Sequence, residues 1–320
     1  MRLLILGGTR FMGFALAGLL VDTGHDVTIS SHRPENAPKG VHAHGGERGR
    51  AIVSLALERP FDAVIVFTAY DSDSAEQAIE AFSGARYFLI SSIWVAKLRR
   101  GMLADTPLPI GHSAPHYLPE VTRKYIEGKA GAEFQVRKAH SNGRLAVALR
   151  LPIIWGLNDH TGRLDYYRQR VTDGAEQILV DGGANYVQLG WSEDMAGAIA
   201  RLITGDTHEM PPLLEGLQEN GVAVLELNAL IADAEGVVAR PVAVSKDILA
   251  RELPAFLDHE PLWREEALPV SKANLFAVTG WVPHELRDWL VNLVRQVPLR
   301  LTDDGLRAKE LAFLRRYGHA

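Results

Sequence analysis

Apolar and polar positions in the first 150 residues alternate between short, fully apolar runs and longer stretches of helical periodicity. Residues 3–6 (LLIL) are apolar throughout and stop at Gly7-Gly8, as a strand buried on both faces does. Residues 11–20 are apolar nearly all round and the pattern ends near Thr23-Gly24, which predicts a helix packed on a sheet. Strands follow at Asp26–Ser31 and at residues 62–68 (DAVIVFT), then a helix over 72–82 and a strand at Arg86–Ser92 (RYFLISS). Residue 119 to about 139 has helical periodicity, stops at Ser141-Asn142-Gly143, and leads to a strand at 145–151. This rhythm predicts an α/β fold: a doubly wound parallel sheet with right-handed crossovers and ligands at the carboxyl ends of its strands.

Past Pro152 the pattern loosens, with turns at 156–160 and 181–185, a Pro211-Pro212 pair, and a charged amphipathic helix over 305–317. Composition narrows the function classes. The 320 residues are 47% hydrophobic and 23% charged, which excludes disorder, collagen-like repeats and coiled coil. With 39 acidic against 34 basic residues the net charge is −5, which argues against a protein built to grip nucleic acid. The absence of cysteine excludes a disulfide framework, a thiolate zinc site, an iron–sulfur cluster and a cysteine nucleophile. Only four apolar residues follow Met1-Arg2, and no apolar run approaches the length of about 18–20 that spans a bilayer. A soluble cytoplasmic protein without a membrane partner is expected.

Gly7-Gly8-Thr9-Arg10-Phe11-Met12-Gly13 follows the first strand and opens the first helix. In that context a glycine-rich turn points its N–H groups and the helix N-terminus at a dinucleotide pyrophosphate. The plainer reading is a tight turn with no ligand; the strand–helix alternation behind the loop favours binding. Gly7, Thr9, Arg10, Phe11, Met12 and Gly13 are the candidate contacts, with Arg10 standing at the middle position of the G-x-x-G-x-x-G form. The second strand ends Ser30-Ser31-His32-Arg33 with no carboxylate for a ribose 2′-hydroxyl. His32, Arg33 and Arg10 therefore favour NADP(H), with NAD(H) the alternative; solvated loop arginines are the competing reading. The expected division is a dinucleotide-binding domain over 1–154, with segments returning near 186–218, and mostly a substrate domain over 155–320.

Tyr125 and Lys129 (YIEGK) are four residues apart and share one face of the predicted helix. An ammonium one turn away favours the phenolate and makes the phenol a usable acid or base for an alcohol–carbonyl pair. Ser92, at the end of RYFLISS, is placed to hold the substrate oxygen, and Lys129 to bond the nicotinamide ribose. The pair alone also fits an exposed surface helix; its order after the glycine loop and Ser92 carries more weight.

With these residues in place the chain resembles the extended short-chain dehydrogenase/reductases, the NAD(P)-dependent epimerase/dehydratase superfamily. The resemblance rests on LLILGGTRFMG, FLISSIWV, YIEGKAGAE, LRLPIIWG, WSEDMAGAIA and SKANLFAVTGWVP in that order. It implies a Rossmann-type domain, the triad Ser92, Tyr125 and Lys129, and cofactor contacts from Thr68, Ala69 and the segment Pro152 to Ile154. Dehydratases of the superfamily carry an Asp-Glu pair after the serine; here Ile93 and Trp94 stand there and transfer no proton. The asparagine that reaches the sugar nucleotide in many epimerases corresponds to Ile153. Trp94 is a candidate substrate-pocket wall, with a core role as its equal. The loop GGTRFMG also resembles the branch containing chloroplast stem-loop-binding proteins, some of which associate with RNA; the intact triad and acidic charge oppose that role.

His112 and His116 are spaced for a metal pair, but prolines around them break the helix such a pair needs, and no metal is expected. Lys97, Arg99 and Arg100 read as a solvated basic cluster, Tyr166, Tyr167, Arg168 and Arg170 as packing residues, and residues 307–316 as an amphipathic terminal helix that is a candidate contact for a homodimer. The resulting expectation is an oxidoreductase moving hydride between nicotinamide and a carbonyl or secondary alcohol of a small polar or sugar-like molecule. An NAD-retaining sugar epimerase and a nucleotide-binding regulatory or RNA-associated protein with a relic triad are the alternatives.

Overall fold

A computed structural model describes residues 1–58, 60–98, 114, 118–205, 210–218, 221–265, 270, 273–301 and 305–318. The chain forms two compact units, the first built from Met1–Asn158, Gly190–Gln218 and Pro269–Pro283. Its strands are β1 (Arg2–Leu6), β2 (Asp26–Ser31), β3 (His42–Gly45), β4 (Ala63–Val66), β5 (Arg86–Ser92) and β6 (Ala146–Leu151). With the strand Leu213–Glu215 they make a seven-stranded sheet in the order Leu213–Glu215, β6, β5, β4, β1, β2, β3. Every neighbouring pair is parallel. The order reverses between β1 and β4, the switch point of a Rossmann sheet, and opens a crevice at their carboxyl ends.

The alternation of side chains along β1 builds both faces. Leu3 and Ile5 pack with Met12, Leu16 and Leu20 of α1 (Phe11–Asp22) and with Met195, Ile199 and Leu202 of the helix Ser192–Thr204. Leu4 and Leu6 face the other way, onto α2 (Arg48–Ala56), α3 (Ser72–Ala81) and α4 (Glu120–Ser141). Burial on both faces explains why these strands read as continuous apolar runs. The strand expected over 62–68 is shorter, and β3 with α2 had no signature in the pattern. The four residues of β3 (HAHG) lie on the sheet edge with none buried, so no apolar alternation marks them.

Residues 273–283 belong to this first unit rather than to the second half in which the sequence places them. The Asn274 side-chain amide donates to the Leu217 carbonyl at 2.7 Å, and the Glu215 N–H to the Ala273 carbonyl at 2.9 Å. The Trp281 indole donates to Asp194 at 3.0 Å and lies over Gly197, where a Cβ would come within 2.3 Å of the ring. WSEDMAGAIA and TGWVP therefore meet as one packing staple.

The second unit comprises Asp159–Leu189, Glu219–Leu268 and His284–Ala320. Its helices Arg163–Thr172 and Leu306–Tyr317 are joined by a buried ion pair, Arg170 Nε to Glu310 at 2.9 Å, and Glu310 also accepts from the Ile178 N–H at 2.9 Å. Tyr166, Tyr167, Arg168 and Arg170 are all buried, as packing residues are. The terminal helix buries Leu306, Phe313 and Leu314 within its own unit. Among the described residues no helix is long and apolar enough to cross a membrane.

Glu260 gives this unit a pH dependence. Its carboxylate accepts from the Tyr167 hydroxyl and the N–H groups of Leu262 and Trp263, yet burial dominates and pushes it up from 4.5 to about 7. The folded state holds this proton more tightly than the unfolded chain, so the contribution is full below about 4.5 and is lost as pH rises through about 7. Urea unfolding of wild type against Glu260→Gln is expected to show the wild type losing up to about 3 kcal/mol more than the variant across that window. Parallel pH profiles would contradict it.

Candidate functional site

The glycine loop is shaped by close approaches. Gly7 and Gly8 have φ of +89° and +86°, a region open to glycine. A Cβ on Gly13 would lie 2.3 Å from Gly8 Cα, and one on Gly7 2.6 Å from the Thr68 side chain, so bare backbone lines the crevice between β1 and β4. Arg10 precedes α1 with an extended backbone (φ −139°), so the middle position of the motif does not require glycine here. Its side chain does not cap the helix, which leaves the first-turn N–H groups facing the crevice. Phe11 has φ of +53°, rare for an aromatic residue, and backbone strain is concentrated at this junction. These features fit a dinucleotide pyrophosphate: a cradle any side chain would fill, closed by an uncapped helix N-terminus.

The remaining candidates on this side separate by burial. The Thr9 hydroxyl pairs with the Ser31 hydroxyl at 2.9 Å, and Ser31 accepts from the Arg33 N–H at 3.1 Å, tying the loop to the end of β2. Met12 is buried in the core, so its part in any binding is its main chain. Arg10, His32 and Arg33 are exposed. Near His32 stands a carboxylate that the sequence reading missed. Glu47 accepts from the N–H groups of Gly49 and Arg50, which hold it below its usual range, with Arg50 and His32 adding smaller pulls. It comes from the turn after the edge strand β3, far from β2 in sequence.

Lys129 lies at the heart of the second cluster. Its ammonium donates to the Ile90 carbonyl at 2.8 Å and the Phe67 carbonyl at 3.3 Å, at the ends of β5 and β4. Burial pushes it down to about 8, opposed in part by Glu133. The glycines of YIEGKAGAE allow this reach: a Cβ on Gly128 would sit 1.9 Å from the Tyr70 carbonyl oxygen, and one on Gly131 3.3 Å from Ser72 N. The Tyr70 ring lies 4.7 Å from the ammonium and 6.4 Å from the ring of Tyr125, which is itself partly exposed. Thr68 and Ala69 precede Tyr70, the Thr68 hydroxyl donating to the Leu6 carbonyl at 3.4 Å.

Ser92 ends β5 half-buried, and its hydroxyl accepts from the Trp94 N–H at 3.3 Å. Trp94 packs against Val95, Leu118 and Ile126, a small apolar cluster, which supplies the core half of its expected role. Pro152 and Ile154 are buried beside Gly190, where a Cβ would meet them at 3.2 and 2.9 Å. On the opposite face of β5 the Ser91 hydroxyl donates to Glu133 at 2.6 Å, and Arg150 of β6 grips both Glu133 oxygens at 2.7–3.2 Å. His112, His116, Arg99 and Arg100 and the side chain of Lys97 lie outside the described residues.

The loops after β1, β4 and β5 thus lie at the carboxyl ends of adjacent strands, where Lys129 of α4 reaches the Phe67 and Ile90 carbonyls. Tyr70, Glu133 and Arg150 were not singled out from the sequence. Glu133, one turn beyond Lys129, was the only one whose spacing offered a signal.

Known proteins resemble this chain in parts. It is 30% identical over 217 residues to 2′-dehydrokanamycin reductase of Streptomyces kanamyceticus, covering 64% of this chain and 59% of that protein. It is 27% identical over 216 residues to 2-alkyl-3-oxoalkanoate reductase of Stenotrophomonas maltophilia (strain K279a), covering 61% and 63%. The match spans about three fifths of the length of each of these relatives. A crystal structure of dTDP-glucose 4,6-dehydratase from Bacillus anthracis in complex with NAD superposes with a TM-score of 0.68 at 14% identity, over 92% of this chain and 96% of that one. The sequence model of the NAD dependent epimerase/dehydratase family matches residues 3–210, more than half of the chain. With the Rossmann strand order and the glycine cradle, that match means the chain belongs to the NAD dependent epimerase/dehydratase family.

Proposed function

We propose that this chain is a reductase that uses NADP(H) in preference to NAD(H) on a ketone of a polar or sugar-like molecule. The observation that carries it is Lys129, a buried ammonium held on the carbonyls of Phe67 and Ile90 between the glycine cradle and Ser92. A bound nicotinamide dinucleotide supplies the hydride. The loop Gly7 to Gly13 and the N-terminus of α1 hold its pyrophosphate, with Thr68, Ala69 and the main chain of Pro152 and Ile154 along its length. Lys129 anchors the nicotinamide ribose and, losing its proton as the pH rises through about 8, is mostly charged on the helix face it shares with Tyr125 at neutral pH. Tyr125 donates a proton to the substrate oxygen while Ser92 holds that oxygen by a hydrogen bond. Trp94 lines the substrate side.

Reduction, rather than epimerisation or dehydration, is supported by two observations. The two relatives named above are reductases, one of 2′-dehydrokanamycin and one of a 2-alkyl-3-oxoalkanoate. Ile93 and Trp94 follow Ser92, where the dehydratases the chain resembles carry an Asp-Glu pair. NADP(H) is supported by exposed Arg10, Arg33 and His32; Glu47 is occupied in capping α2.

Purified protein is expected to release no stoichiometric NAD on denaturation and to bind NADPH about tenfold or more tightly than NADH, with Arg33→Ala removing most of that ratio. Retained NAD would establish the epimerase alternative. Nucleotide binding unaffected by Tyr125→Phe, with no turnover of any carbonyl, would establish the relic-triad reading, and binding of neither nucleotide would overturn the enzyme reading.

A further inference from the structure

We propose that Tyr70 is a positioning residue for Lys129, its ring holding the ammonium in line with Tyr125 and with the nicotinamide ribose. The inference rests on the reductase reading, in which Lys129 contacts the nucleotide.

Three observations carry it. The ring stands 4.7 Å from Lys129 Nζ, within the range at which an aromatic quadrupole attracts a cation. The same ring is tilted at 47° to that of Tyr125 with 6.4 Å between centroids, so one side chain touches both predicted catalytic groups. The Tyr70 main chain is pinned, because its carbonyl meets α4 at Gly128, where a Cβ would come within 1.9 Å. The side chain itself is 54% exposed, so core packing does not account for an aromatic residue here.

An ammonium has three N–H bonds, and the carbonyls of Phe67 and Ile90 take two. Those carbonyls hold the lysine at the carboxyl ends of β4 and β5, and the ring holds it on the side of Tyr125. The titratable and charged groups around Lys129 are Tyr70 after β4, Tyr125 and Glu133 on α4, and Arg150 on β6, which Glu133 binds. Of these Tyr70 and Glu133 favour the charged lysine, and burial opposes it. Removing the ring therefore costs the ammonium a stabilising partner and frees its orientation, while the fold keeps every buried contact of the loop.

The test is the pH profile of NADPH affinity, read by nucleotide fluorescence from about pH 6 to 10, with Lys129→Met as reference. In wild type the affinity is expected to fall as the pH rises through about 8 and in Lys129→Met to lose that inflection. Tyr70→Leu, which keeps bulk without a ring, is expected to move the inflection down by about half a pH unit or more, and Tyr70→Phe to restore it. An unmoved inflection in Tyr70→Leu, with the inflection gone in Lys129→Met, overturns the role of Tyr70 and leaves the reductase reading standing. An inflection that survives Lys129→Met overturns both. Circular dichroism of each variant checks that the fold is retained.

Discussion

Tyr125→Phe is expected to lower turnover of the cognate ketone by about 10²–10⁴-fold while NADPH affinity stays within about threefold of wild type. The ring and its packing against Tyr70 survive the substitution; only the hydroxyl proposed to move the proton is lost. Hydride delivery to a ketone leaves an oxyanion, and without a positioned acid that oxygen must take its proton from water. The loss should therefore fall on kcat, because the group acts on a charge that develops only in the transition state. Steady-state consumption of NADPH with 3-oxoalkanoates and with sugar-ring ketones checks this. Turnover within about threefold of wild type would show that Tyr125 is not the acid. Lys129→Met is expected to differ by weakening nucleotide binding as well as turnover, since the proposed role of its ammonium covers both.

The second large effect concerns the ion pair behind the site. Arg150 and Glu133 are 2% and 6% exposed, bonded through both carboxylate oxygens, and Glu215, opposite Arg150 in the sheet, is also buried. Arg150→Met strands two buried carboxylates and is expected to cost about 3–5 kcal/mol or more. Glu133→Gln leaves Arg150 the charge of Glu215 and is expected to cost less, about 1–3 kcal/mol. Urea unfolding of the two variants gives the comparison; equal losses would mean that Glu215 does not share the arginine. The network also fixes the site. Glu133 is one turn beyond Lys129 on α4, and through Ser91 and Arg150 it bolts that helix to β5 and β6. A shift of α4 along the sheet would carry Lys129 away from the Phe67 and Ile90 carbonyls, so Arg150→Met should weaken NADPH binding even where the fold persists.

What was legible in the chain is what repeats locally. Strands buried on both faces must be apolar at every position, so β1, β4, β5 and β6 announced themselves. The edge strand β3 needs no apolar residue, and it was silent. The same division runs through the site. Gly7, Gly8 and Gly13 are informative because backbone approaches of a few ångströms admit no side chain, and that requirement is written in the residues themselves. Tyr125 and Lys129 are informative because helical periodicity puts positions four apart on one face.

The sequence by itself determined the sheet's interior, the glycine cradle and the placing of Tyr125 and Lys129 on one helix face, because each is written in local composition or spacing: continuous apolar runs, small residues in one turn, and positions four apart. Only the tertiary structure decided that Arg10 needs no glycine's backbone, that Tyr70 faces the lysine, that Glu47 approaches His32, and that residues 273–283 return to the first unit. The last three relations join segments separated in the chain, by 15 residues for Glu47 and His32 and by 59 for Tyr70 and Lys129, and nothing local in composition or spacing encodes which separated surfaces will meet.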